Sequence, residues 1–227
     1  MQNITGIRHL ICNMKTHTLT AKFYIIFSLL ASVPAFWLSS KINTYLSGLS
    51  ETSVLRYLSS WGFIEAPTAI VIILFIFWIL NNYLWKWLPI RKLFGIPNID
   101  GRYEGEIVSS FTETKEQNGT YKTSIEIKQT LTKVIVYLYT ERSCSYSLTA
   151  NLCKNNNGNY ELVYVYQNKT SAMGTDSDMH DHNGTAILEI FEDGSILDGN
   201  YFNNPRDRGR YGKIKVTKVI SKMKGKF

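Results

Sequence analysis

Asp176, Asp178, His180, Asp181 and His182 form the one metal-like cluster in the sequence, with carboxylates and imidazoles alternating. Their spacing is neither that of an EF-hand loop nor that of a structural zinc site, and the cluster reads as part of a solvated loop. Catalytic signatures are missing as well: there is no phosphate-cradling glycine loop, no nucleophile elbow and no zinc-type cysteine pairing. Cys12, Cys144 and Cys153 are an odd number that suits a reducing compartment. Four N-x-[ST] sequons, at Asn3, Asn118, Asn168 and Asn183, are expected by chance in a chain this rich in Asn and Thr. The residue types therefore argue against an enzyme and against a resident metal or cofactor.

The elements that would position any site fall into two halves. Residues 1–97 carry eight Lys/Arg against Glu51 and Glu65, whereas residues 98–227 carry 17 Lys/Arg against 16 Asp/Glu. The net charge of +7 thus sits mostly in the first half, beside apolar runs, and does not indicate DNA or RNA binding. Phe23–Leu38 and Ala66–Tyr83 read as two membrane spans, the first kinked at Pro34. Tyr83, Trp85 and Trp87 form an aromatic belt after the second. Arg8, Lys15 and Lys22 before the first run, and Lys86, Arg91 and Lys92 after the second, outnumber Lys41 and Arg56 between them. This bias places both termini in the cytoplasm of a multi-pass membrane protein. The intervening loop carries Ile42, Tyr45, Leu46 and Leu49 at helical spacing, which suits either an interfacial segment or an extension of the spans. No ionisable residue falls mid-span, so a transporter has nothing to work with.

Residues 98–227 repeat short alternating runs separated by turn signals. Eight strands are predicted: Gly101–Phe111, Thr120–Leu131, Lys133–Thr140, Ser143–Lys154, Tyr160–Gln167, Gly184–Glu192, Ile196–Asn203 and Tyr211–Val219. Tight polar connections, such as Asn155-Asn-Asn-Gly158 and Glu192-Asp-Gly194, imply up-and-down order. The fold class is thus a membrane α-hairpin (1–97) followed by an all-β, eight-stranded antiparallel up-and-down barrel (98–227), lipocalin-like but smaller, with room for packed side chains or one small ligand. The longest loop, from Asn168 to Asn183, reads as a lid or loose tip.

Particular motifs carry a resemblance over nearly the whole chain. They are Pro97-Asn-Ile-Asp-Gly101-Arg-Tyr103-Glu-Gly105-Glu-Ile107, Ile125-Glu-Ile-Lys-Gln129-Thr130, Thr140-Glu-Arg-Ser143-Cys-Ser145-Tyr-Ser147, His182-Asn-Gly184-Thr185-Ala186, Leu197-Asp-Gly199-Asn-Tyr201-Phe202 and Arg208-Gly-Arg-Tyr-Gly212-Lys-Ile214. With two membrane spans ahead of them, these resemble the two-transmembrane β-barrel effectors of bacterial CBASS, cyclic-oligonucleotide-based anti-phage signalling. One departure is Gly101-Arg-Tyr103, where the family's first strand usually reads Gly-x-Trp. The resemblance implies a barrel that binds a cyclic dinucleotide made by a CD-NTase-type nucleotidyltransferase after infection. It also implies self-association on binding and disruption of the inner membrane, so that lipid bilayer, ligand and further copies of the chain are the partners.

A barrel holding such a ligand needs aromatic faces for bases, cations for phosphodiesters, and hydroxyls or amides for base edges and riboses. The candidates are Tyr103, Tyr164 and Tyr201 for stacking, with Tyr137 and Tyr166 behind them. Arg142, Arg206 and Arg208 are candidates for phosphate, and Gln129, Thr140, Ser143, Ser145 and Ser147 for polar contacts. Each also has an ordinary structural reading: a strand Tyr as core, the Ser positions as one plain solvated face. Two other functions stay open, a lipocalin-like barrel for an apolar ligand and a membrane-anchored scaffold without one.

Overall fold

The computed structural model describes residues 15–48, 65–110, 119–141, 143–155, 157–170, 181–204, 210–220 and 223–225. The chain divides into two compact units, one holding the helices and the other holding everything from Gly95 onward.

The helical unit contains α1 (Lys15–Gly48), α2 (Glu65–Asn82), a 3-10 turn at Leu84–Lys86 and the short α3 (Leu88–Phe94). Helices α1 and α2 meet along small side chains, with Ala31, Ala35, Ser39 and Ala69 buried and Phe27 edge-on to Phe77 at 5.4 Å. Among the described residues no helix is long and apolar enough to cross a membrane. The expected pair of spans, and with it the multi-pass inner-membrane placement with cytoplasmic termini, is therefore not supported. In α1 the apolar sequence is broken by Pro34 and by Ser28 and Ser32, whose hydroxyls donate to carbonyls three residues back. In α2 the uninterrupted run Ala69–Leu80 is a dozen residues, about 18 Å at 1.5 Å per residue, against about 30 Å of hydrocarbon.

The second unit is a closed barrel of eight antiparallel strands in sequence order, with β8 pairing back on β1. The strands are β1 (Gly101–Ser109), β2 (Gly119–Gln129), β3 (Val134–Tyr139), β4 (Ser143–Lys154), β5 (Tyr160–Thr170), β6 (His182–Phe191), β7 (Ile196–Asn203) and β8 (Tyr211–Ile220). The predicted eight-stranded antiparallel barrel is thus found, with β5 running three residues further and β6 starting two earlier. Period-2 patterning drives closure: Tyr103, Ile125, Ile127, Val136, Leu162, Leu188, Leu197, Ile214 and Val216 all turn inward into one core. A bulge between Ser147 and Thr149 shifts the phase of β4, so that Ala150 and Leu152 continue the inner face begun by Ser145 and Ser147.

The two ends of the barrel differ. At the end where the chain enters β1, residues 97–100 form a plug. Ile99 is wholly buried in the core. Its N–H donates to Gln129 Oε1 at 2.8 Å, and Gln129 Nε2 donates to the Pro97 carbonyl at 3.0 Å. Tyr103 OH donates to the Gly194 carbonyl at 2.6 Å and lies 3.1 Å from that of Ile99. Tyr160 OH bonds the Gly95 carbonyl from the rim of the same end. The β6–β7 turn that supplies Gly194 holds Glu192 and Asp193 at positive φ.

Candidate functional site

At the opposite end, where β1–β2, β3–β4, β5–β6 and β7–β8 connect, the inner face turns polar. This follows directly from register. Positions that continue the inward-facing rows toward this end are Ser109 on β1, Thr123 on β2, Ser145 on β4 and Asn168 on β5, all buried. Tyr201 and Asn203 on β7 and His182 on β6 complete the lining.

Hydrogen bonds fix most of these groups. Ser145 Oγ donates to Asn168 Oδ1 at 2.7 Å, Tyr166 OH to Asn203 Oδ1 at 2.7 Å, Tyr201 OH to Ser109 Oγ at 2.9 Å and Thr123 Oγ1 to the Tyr139 carbonyl at 3.0 Å. Two tyrosine rings lie against glycines on neighbouring strands. A Cβ at Gly184 would come within 2.4 Å of the Tyr166 ring, and one at Gly212 within 2.5 Å of Tyr201. Any side chain at either position would displace a mouth tyrosine. Tyr166 also meets His182 edge-on at 6.4 Å. Burial pushes the phenols of Tyr164, Tyr166 and Tyr201 up, in the last case despite the opposing pull of Ser109 and Arg210. All three are neutral donors at physiological pH, and Arg210 is a cation acting on the mouth.

The residues singled out from sequence separate into groups. Tyr164, Tyr201 and Ser145 lie on the inner face toward the polar end, and Thr140 and Ser143 close the β3–β4 turn on each other there, with their hydroxyl oxygens 2.9 Å apart. Ser147 accepts the Val136 N–H at 2.9 Å and so is engaged at the bulge. Tyr103 and Gln129 are at the plugged end, their polar atoms taken by backbone groups. Tyr137 and Tyr139 alternate out of the barrel and stack on each other at 6.5 Å. Arg142, Arg206 and Arg208 lie outside the described residues, as do positions 176–180 of the Asp/His cluster; the strands on either side of those arginines end at the polar mouth. Sequence reasoning passed over Asn168, Asn203 and Ser109. For Asn168 the signal was present, since it continues the alternation of Tyr164 and Tyr166.

The arrangement suits a polar, ring-bearing ligand, and among the described residues no nucleophile is paired with a base. Cys144 is free, but burial raises its thiol, which keeps it protonated. Among the described residues no cluster could hold a metal ion.

A family model described as "Cap15, cyclic dinucleotide receptor domain" matches residues 94–218, more than half of the chain. The chain belongs to this family. The match begins just ahead of the plug, takes in β1 through most of β8, and includes every residue named at the polar mouth. The chain is also 29% identical over 139 residues to CD-NTase-associated protein 15 of Yersinia aleksiciae. That similarity covers 61% of this chain and 64% of the relative, so the chain spans less than two thirds of its relative's length. Membership of the Cap15 receptor family bears out the resemblance to the β-barrel effectors of CBASS drawn from the motifs.

Proposed function

We propose that the barrel is a receptor for a cyclic dinucleotide, bound at its polar mouth, and that the chain is an effector answering a CD-NTase-type nucleotidyltransferase. The observation carrying this reading is the asymmetry of the interior. One end is sealed by Ile99, Gln129 and Tyr103, while the other is lined by Ser109, Thr123, Ser145, Asn168, Tyr201 and Asn203 beneath the strand ends that flank Arg142, Arg206 and Arg208. Hydroxyls, amides and tyrosine rings are what nucleobases and riboses require, and arginines are suited to phosphodiesters. A barrel for an apolar ligand would line its mouth with aliphatic side chains instead. Binding, not catalysis, is the activity.

Self-association is the second half of the proposal. The helical unit exposes Phe36 and Trp37 on α1 and Leu74, Phe75 and Trp78 on α2, each by more than half, and contiguous exposed apolar side chains are where copies associate. Ligand shifts the population toward assembled copies only if it binds that state more tightly. Calorimetric titration of the full chain with a panel of cyclic dinucleotides and trinucleotides, with light scattering on the same samples, tests both halves. At least one cyclic dinucleotide is expected to bind with saturable heat and to increase the scattering mass. Silence across the panel would return the barrel to the lipid-binding or scaffold readings.

A further inference from the structure

Two buried side-chain groups in the barrel have no hydrogen-bond partner among the described residues: Tyr164 OH and Asn168 Nδ2. Both residues are nearly sealed, at 2% and 3% exposure, and both sit on the inner face of β5 with Tyr166 between them. A buried donor left unpaired costs about 1–3 kcal/mol, and most buried polar groups in folded proteins avoid that cost. The surroundings account for the orphaned state. Tyr164 is flanked across its two ladders by Ala150 and Ala186, which carry no polar side-chain atom. Asn168 has its carbonyl oxygen held by Ser145, which orients the amide so that its nitrogen is the group left over.

We infer that the inner face of β5 is the ligand-reading strip, with Asn168 Nδ2 donating to an acceptor on one nucleobase and Tyr164 OH bonding the ligand deeper in the barrel. The inference rests on the cyclic dinucleotide reading and extends it to named atoms. Along a strand the two residues stand about 13 Å apart, so a ligand meeting both lies lengthwise along β5 and not across the rim. Because Ser145 already donates to the Asn168 oxygen, the wholly unpaired group of this amide is its N–H donor. It therefore favours a base edge presenting a carbonyl or ring nitrogen over one presenting an amino group.

The test uses Y164F and the double variant S145A/N168L in the full chain; the first removes one unpaired group with little change of shape, and the second removes the Asn168 amide together with the Ser145 hydroxyl that would otherwise lose its acceptor. Thermal unfolding is followed without ligand, and calorimetry is run against the same cyclic dinucleotide panel. Each variant is expected to unfold at the temperature of the unmodified chain or above it, while its affinity for the best panel member falls about tenfold or more. Retained affinity in both variants, with the unmodified chain binding normally, would overturn the inference and leave the receptor reading standing. Loss of thermal stability alongside affinity would also overturn it, because a structural role would then explain both. An unmodified chain that binds nothing in the panel removes the receptor reading and this inference with it.

Discussion

An Arg102→Ala chain is expected to lose about 3–5 kcal/mol of barrel stability, out of the roughly 5–15 kcal/mol typical of a folded domain. Arg102 faces outward on β1, directly opposite Glu126 on β2, yet only 3% of it is exposed. Its Nη1 donates to Glu126 Oε1 at 2.9 Å, its Nη2 to Ser124 Oγ at 2.9 Å and its Nε to Glu104 Oε1 at 2.8 Å. The backbone N–H groups of Lys224 and Gly225 close over the same Glu126 carboxylate at 2.7 and 3.2 Å. Removing the guanidinium would leave a carboxylate at 1% exposure without its counter-ion. Urea unfolding of the full chain, followed by circular dichroism, measures the loss. A double replacement by apolar residues of similar volume, Arg102→Met with Glu126→Leu, should recover much of it, since no charge is then left buried alone.

The same network sets an acid limit. Burial alone would raise the Glu126 carboxyl, but the Lys224 N–H, Arg102 and the Gly225 N–H outweigh it and hold the group below the usual carboxylate range. The Arg102 hydrogen bond likewise lowers Glu104. A carboxyl whose folded value lies below its unfolded one stabilises fully above the unfolded value, about 4.3 for Glu. That contribution disappears as pH falls through the lower, folded value. Stability should therefore decline below about pH 4, and less steeply in the double apolar variant.

Tyr103→Ala should cost about 3–5 kcal/mol for a different reason, the removal of a large, wholly buried ring from a closed core. The ring lies against Ile125 across the β1–β2 ladder, and its hydroxyl ties the β6–β7 turn to the plug through Gly194. Tyr103→Phe keeps the ring and leaves that carbonyl without its donor, for about 1–3 kcal/mol. Thermal melts of both variants give the order Ala below Phe below unmodified. Six residues along β1, about 20 Å, separate Tyr103 from Ser109 at the mouth, so Tyr103→Phe should leave cyclic dinucleotide affinity unchanged.

Tyr103 also shows where sequence reading stops. Its aromatic type made it a stacking candidate beside Tyr164 and Tyr201, and the structure turns all three inward. What alternation does not carry is position along the barrel axis, which depends on how eight registers combine. The same combination of registers places Gln129 in the plug. Strand number and order were legible, because turn residues punctuate each run and each inner face repeats at every second position. The phase change at Ser147/Thr149 was not, since the inner positions before it are serines and carry no hydrophobic phase to be seen shifting. The Ser143–Ser147 face fitted either a solvated strand or a lined cavity, and its register decided for the interior, with Ser145 opposite Leu138. Asn168 was hidden by a strand end drawn at Gln167, three residues short of Thr170. In the helical half, hydropathy identified where helices form but overstated the apolar run of α2, whose uninterrupted part ends at Leu80. The Arg102–Glu126 pair was invisible for a further reason: two opposite charges 24 positions apart become a buried pair only once the β1–β2 register is known.

The most direct measurement is a crystal structure of the full chain with the tightest-binding member of the cyclic dinucleotide panel. The ligand is expected inside the barrel at its polar end, along β5, with the Asn168 amide on a base edge, Tyr164 beneath it, and the plug of Ile99, Tyr103 and Gln129 unmoved. Ligand on the outer strand faces, or a barrel interior unchanged while ligand sits elsewhere, would contradict the account.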